Sequence, residues 1–275
     1  MIKKVAAFFL FFIFLGVISQ SSAQFLEKEI AQRASWEEFL KTAKIIDKEQ
    51  MRGREAVTEP WKLTLEKEGV TRHALWKNPL GRMRGYIESW KAEIAAYQLD
   101  KYLGLNMVPV TVEKRFRGDR GSCQLWIENT IRLRDLRERE MKFPIAKIPS
   151  KNRAVYLQRA FDNLIANEDR NERNILATED WRLILIDHSR TFRYSKKFTK
   201  NLIFTQNHRE GPKLMKELPR AFVEKIKTLD YDLIKTIVGE YLSDKQIKAV
   251  LLRKKLIQEE INRLINEFGE KKVLY

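Results

Sequence analysis

Cysteine is almost missing: Cys123 is the only one in 275 residues. No intramolecular disulfide can form, so stability must come from a packed core. The lone thiol sits inside "GSCQLWIEN" and reads more readily as a small buried hydrophobe in a strand than as a reactive group. Histidine is scarce too, with three scattered residues, so no Cys/His metal cluster exists. The Gly-x-Ser-x-Gly elbow of serine hydrolases is absent. Zinc-finger spacing, a basic zipper and an aromatic RNA-binding motif are absent as well, which argues against nucleic acid as a partner. There is no internal repeat and no long low-complexity tract.

What is present suits a globular enzyme-sized chain. Hydrophobic residues make up 44%, aromatics 11% and charged residues 33%. That is enough apolar material for a sizeable core under an ion-dense surface. The length fits one large domain or two lobes sharing a cleft. The chain opens on "MIKK", then the 14-residue apolar run "VAAFFLFFIFLGVI", then "SQSSAQ". As a helix that run spans roughly 21 Å, short of a bilayer core of about 30 Å. Ser21 and Ala23 fit the −3 and −1 positions of a cleavage site. Residues 1–23 therefore read as a signal peptide, and the mature chain as extracytoplasmic, without a transmembrane helix. Loss of Lys3 and Lys4 takes the formal charge from +16 to +14. Such a basic body attracts nucleotides, anionic headgroups or acidic proteins.

The pattern changes along the chain. Residues 26–50 read as one or two amphipathic helices, with Ser35 as an N-cap. "WKLTLEKEG" and "VTRHALWKN" alternate as a hairpin about Glu68-Gly69. "YIESWKAEIAAYQLDKYLGL" carries a helical stripe at Ile87, Trp90, Ile94, Tyr97 and Tyr102, with Gly104 past its end. "MVPVTVEKRF" and "GSCQLWIEN" follow as strands. Beyond residue 130 come the helix "KNRAVYLQRAFDNLIAN", the short hairpin "ILAT" and "WRLILID", and helices to the end, with Ser243 as an N-cap of the last. The expectation is α+β: helices and a small antiparallel-sheet lobe over 24–130, and a helical lobe over 131–275.

The candidate chemistry lies in "NEDRNERNIL" and "LILIDHSRTF". Asp169 and Asn174 are five apart, the Asp-x-x-x-x-Asn spacing of a kinase catalytic loop, and Asp187 follows 13 later at a strand end. A polar surface turn would explain "DRNERN" equally well. Phosphoryl transfer explains more. It needs oxygen ligands for a small hard cation, an aspartate near the acceptor hydroxyl, and a cation on the nucleotide phosphates. Lys77 ends the strand "HALWKN", and Glu93 lies on the next helix in better register than Glu88.

Taken in order, "ALWKNP", "SWKAEIAAYQLDKYLGLNMVPVTVE", "GSCQLWIEN", "DNLIANEDRNERNIL" and "LILIDHSRTF" resemble the atypical kinase superfamily. That group includes phosphoinositide 3/4-kinases, HipA-like kinases and secretory-pathway kinases related to the Golgi casein kinase. The resemblance spans roughly residues 50–200 and implies a bilobal protein-kinase-like fold. It implies that Lys77 contacts nucleotide phosphate and that Glu93 orients it. Asp169 becomes the catalytic aspartate, and Asn174 and Asp187 ligands of Mg²⁺ or Mn²⁺. Ile127, Glu128 and Asn129 would present backbone groups to the adenine of ATP. The loop "MRGREAVTEP" would cover the phosphates, though Gly53 is its only glycine. Asn171 stands where the phosphoinositide-kinase loop has histidine, and Ser189 where the metal motif has glycine.

The implied activity is an exported ATP- and metal-dependent phosphotransferase with protein as the favoured acceptor. The alternatives are a nucleotide-binding pseudokinase scaffold and a lipid or small-molecule kinase. Lys196, Lys197 and Lys200, after the metal aspartate, would face an acidic acceptor or simply form a solvated run. Arg170 and Arg173 would hold phosphates or brace the loop.

Overall fold

The computed structural model describes residues 25–53 and 58–275. The signal-peptide reading of residues 1–23 lies outside the described residues, as does part of the loop at 51–60.

Two short helices come first, α1 (Glu27–Ala31) and α2 (Arg33–Thr42). Ser35 is not an N-cap: it lies inside α2 and its hydroxyl donates back to the Gln32 carbonyl at 2.7 Å. The helical reading also fails after residue 43. Lys44–Gln50 is a strand, β1, paired antiparallel with β2 (Trp61–Lys67). Edge pairing overrides local propensity there. Its register shifts between Ile45 and Asp47, leaving Ile46 exposed.

β2 and β3 (Val70–Lys77) form the expected hairpin. Glu68 and Gly69 both take positive φ, 53° and 79°, as a two-residue turn between twisted strands requires. Alternation buries Leu63, Leu65, Ala74 and Trp76 on one face. A small hairpin follows, β4 (Leu80–Met83) with β5 (Tyr86–Ser89). The helix α3 (Trp90–Leu103) starts only after it. Ile87 and Glu88 are thus strand residues. Ile87 is exposed and not part of the stripe, whereas Trp90, Ile94 and Tyr97 are buried as read. Gly104 closes α3 in the left-handed conformation, φ 72°. Next come β6 (Thr111–Phe116) and β7 (Asp119–Leu125), completing an antiparallel sheet in the order β1-β2-β3-β7-β6.

A second sheet, β10-β9-β8, is built from β8 (Thr130–Arg132), β9 (Ile175–Thr178) and β10 (Leu183–Leu185). Between β8 and β9 lie α4 (Leu133–Glu138) and α5 (Ile148–Ile165). After β10 come α6 (Lys196–Lys200), α7 (Arg220–Thr228), α8 (Tyr231–Val238), α9 (Asp244–Phe268) and α10 (Glu270–Val273). Ser243 caps α9 reciprocally with Gln246, a capping box. Among the described residues no helix is long and apolar enough to cross a membrane.

The buried core is continuous from the five-stranded sheet through α3 into α5, α7, α8 and α9. α3 is buried on nearly every side because it packs between the sheet and α7–α8. That sandwich fixes where its polar residues, above all Glu93, can point.

Candidate active site

A cleft of about 680 Å³ opens between the five-stranded sheet and the second sheet, β10-β9-β8. Lys77, Ile127, Asp169, Asn174 and Asp187 all line it. Glu93 stands behind Lys77, buried, and pairs with its ammonium. On its other side Lys77 Nζ donates to Asp187 Oδ1 at 2.8 Å. Residues from β3, α3 and the segment after β10 therefore meet at one ammonium.

The electrostatics follow from that meeting. Burial opposes the charge on Lys77, but Asp187 and Glu93 outweigh it and hold its pKa above the lysine range. Burial likewise opposes the charge on Glu93, and Lys77 with His188 more than compensates, so its pKa is lowered. Asp187 is held well below the carboxylate range because Lys77 and the Ser189 hydroxyl overcome its desolvation. Asp187 itself adopts φ 60°, a left-handed turn that aims its carboxylate back into the cleft. At the end of β3, Gly121 of β7 leaves room for the backbone. A Cβ there would meet the Trp76 ring at 2.7 Å and the Lys77 carbonyl at 2.8 Å.

The loop after α5 is braced from below by Asp162, which is fully buried. Arg170 sends a two-pronged guanidinium to it, Nε to Oδ2 at 2.9 Å and Nη2 to Oδ1 at 3.2 Å. Arg170 Nη1 also donates to the Asn174 and Ile186 carbonyls at 2.6 and 2.8 Å. One buried arginine thus ties the "DRNERN" loop to the strand leading to Asp187. Of the two roles read for Arg170, bracing the loop is the one its contacts fill.

Arg170 Nη2 lies 2.9 Å from His188 Nε2. A guanidinium can only donate, so Nε2 accepts and the proton sits on Nδ1, 3.7 Å from Glu93 Oε2. Burial pushes the His188 pKa down, consistent with that neutral ring. The His188 amide also donates to Glu93 Oε2 at 3.0 Å.

Asp169 lines the same cleft as Asp187. Burial raises its pKa, with Arg190 working against the rise. Asn174 donates its amide nitrogen to the Asp169 carbonyl at 3.1 Å, which leaves its oxygen as the group able to accept or ligate. Asp187 and Asn174 are thus a carboxylate and an amide oxygen on one wall. That hard-oxygen set fits Mg²⁺ or Mn²⁺ when phosphate oxygens and water complete the shell. Among the described residues no cluster of three or more His, Cys, Asp or Glu side chains forms a self-sufficient metal site.

Not every expected residue converges. Ile127 lines the cleft, but Glu128 turns its carboxylate to His73 Nδ1 at 2.7 Å, and neither Glu128 nor Asn129 lines it. Lys196, Lys197 and Lys200 are exposed outside the cleft, and Lys197 pairs with Glu168 at 2.9 Å. Cys123 is wholly buried, and burial pushes its thiol up to about 12.

Asp162 and Arg190 stand at the site beyond the residues singled out from sequence, and Glu88, the rival to Glu93 in the sequence reading, takes a different partner there. Asp162 carried a readable signal: with Gln158 it places a polar i, i+4 pair on an otherwise apolar helix face. Arg190 did not, and the role of Glu88 was not legible either, because the two meet across about 100 residues. Glu88 is 1% exposed and accepts from Ser189 Oγ at 2.6 Å and Arg190 Nε at 2.5 Å.

Comparison with sequence-family models finds no match, and neither does comparison with curated proteins. Solved structures do match. A structure of hydra Fam20 with sugar aligns at TM-score 0.61 and 14% identity, covering 91% of this chain and 93% of that one. A structure of the Golgi casein kinase with Mn and ADP bound aligns at TM-score 0.60 and 17% identity, covering 89% of this chain and 78% of that one. The chain has an atypical-kinase fold. At these identities the likeness establishes architecture alone, and the chemistry must be argued from the residues in the cleft.

Proposed function

We propose that this chain is an ATP- and divalent-metal-dependent phosphotransferase of the atypical kinase class, acting on protein. The observation that carries the reading is the double pairing of Lys77 with Glu93 and Asp187 in a cleft that Asp169 and Asn174 also line. In a kinase the strand lysine, aimed by a helix glutamate, holds nucleotide phosphate. Asp187 and Asn174 would hold the metal, which neutralises phosphate charge when bound. Asp169 would accept the proton of the acceptor hydroxyl. Its raised pKa makes it a better base than an exposed aspartate.

The ion pair between Lys77 and Asp187 brings together the two groups that phosphate and metal would divide. Phosphate would take over the lysine, and the metal the aspartate. The Golgi casein kinase structure carrying Mn and ADP supports that occupancy. The apolar leader read at residues 1–23 supports action outside the cytoplasm. A small-molecule acceptor is the second reading, favoured by the sugar in the hydra Fam20 structure.

The test is incubation of the mature protein with γ-labelled ATP and Mg²⁺ or Mn²⁺, beside Asp169→Ala and Asp187→Ala. Label on the protein or on added proteins, lost in both variants, is the expected result. Label only on added sugars selects the second reading. Nucleotide bound with no label on any substance would identify a scaffold instead.

A further inference from the structure

Arg190 occupies a position that the reading above does not use. Its Nε donates to Glu88 Oε1 at 2.5 Å, and its Nη1 lies 3.2 Å from Asp169 Oδ2. Its guanidinium stacks over the Tyr86 ring at 4.2 Å. The side chain is only 16% exposed, and that exposure is to the cleft, which Arg190 lines. Glu88 is itself locked. Its second oxygen accepts from Ser189 Oγ, and the neighbouring Ser89 amide donates to the Ser189 carbonyl at 2.9 Å. The hairpin strand β5 and the segment after Asp187 are thus joined, and the joint aims one guanidinium at the proposed base.

A structural ion pair would need only Glu88, which already neutralises Arg190. Reaching past it to the half-exposed Asp169 puts positive charge where an acceptor oxygen must approach. The geometry points to Arg190 as a catalytic arginine that binds the oxygens of the phosphoryl group in transit, with Glu88 as its positioning residue. This inference rests on the phosphotransferase reading.

In that step the acceptor oxygen bonds to the γ-phosphorus, and the bond from that phosphorus to the β,γ-bridging oxygen breaks. ADP leaves with the electron pair, and the acceptor proton passes to Asp169. Charge in transit is spread over the three equatorial γ-oxygens, and Arg190, held beside Asp169, would meet them from the acceptor side. A planar guanidinium can bridge two of those oxygens with two parallel hydrogen bonds, a geometry an ammonium does not fix.

The test uses the mature protein and the variants Arg190→Met, Arg190→Lys and Glu88→Gln. Three quantities are read: the rate of label release from γ-labelled ATP to water or acceptor, the affinity for ADP, and the extra affinity that aluminium fluoride with Mg²⁺ gives ADP. In the wild type, aluminium fluoride should tighten ADP binding. Arg190→Met should lower kcat by about 10²- to 10³-fold, as loss of one transition-state donor does. It should abolish the aluminium fluoride effect while ADP affinity stays within about threefold, on the order of measurement scatter. Arg190→Lys should recover part of kcat, and Glu88→Gln should fall between them. Should Arg190→Met fail to fold, Arg190→Lys keeps the charge, and a weakened aluminium fluoride effect with a matching fall in kcat and unchanged ADP affinity carries the test.

Unchanged kcat in Arg190→Met, or equal losses in ADP affinity and kcat, overturns the assignment. A wild type that binds ATP but neither releases label nor responds to aluminium fluoride overturns it too, and leaves nucleotide binding intact. A wild type that binds no ATP removes the phosphotransferase reading itself.

Discussion

Lys77 Nζ and Asp187 Oδ1 lie 2.8 Å apart although 110 residues separate them in the chain. With Glu93 on the other side, this ammonium ties β3 and α3 to the segment beyond β10. The pair is both a fastening and a store of the groups that nucleotide and metal would claim.

Stability should depend on pH through this triad. Glu93 and Asp187 sit below their ordinary values of 4.5 and 3.8, and Lys77 above 10.5. Depressed carboxylates contribute stability above their unfolded pKa values and lose it as pH falls through the folded ones. The raised lysine contributes below 10.5 and loses that as pH rises beyond. The melting temperature should thus be flat from about pH 5 to 9 as far as these groups decide it. It should drop on acidification, and less steeply in Lys77→Met, whose carboxylates have no cation left to lose.

Asp169→Asn should leave ATP affinity unchanged and reduce transfer by about 10²- to 10⁴-fold, the range for loss of a general base. The rising limb of the wild-type kcat profile should lie above pH 3.8, because burial raises this carboxyl. Isothermal binding and a pH–rate series check the two parts separately.

Removing the brace beneath the loop should cost more stability than removing the base. Asp162→Ala strands the Arg170 guanidinium, whose side chain is 2% exposed. Loss of one member of a buried charged pair costs about 3–5 kcal/mol. Denaturant unfolding should show that loss, and transfer should fall with it as the Asp169–Asn174 loop loosens.

Gly121→Ala probes the lysine without touching it. The added methyl group would overlap the Trp76 ring and the Lys77 carbonyl. Overpacking of this kind costs about 1–3 kcal/mol. The variant should also show a raised KM for ATP, because the end of β3 must shift. An unchanged KM with reduced stability would confine the effect to packing.

Much of the architecture was legible because it is written in local periodicity. The β2–β3 hairpin alternates and turns on Glu68-Gly69, α3 ends on Gly104, and Ser243 caps α9. The misread elements share one cause. Lys44–Gln50 and Tyr86–Ser89 read on into the neighbouring helices by local pattern and become strands through their partners. Pairing across the chain, not local preference, decides such segments.

The site divides the same way. Spacing together with the atypical-kinase resemblance singled out Asp169, Asn174 and Asp187 as candidates, and the structure brings all three to one cleft. Lys77 and Glu93 could be named from their places at a strand end and on the following helix. Sequence by itself thus determined the parts and the local scaffolds that carry them. Tertiary structure decided their aim. It set Lys77 between two carboxylates, turned Glu128 away to His73, sank Asp162 under the loop and brought Glu88 to Arg190. Those relationships depend on direction and burial across about 100 residues or across two sheets, and no one-dimensional spacing encodes either.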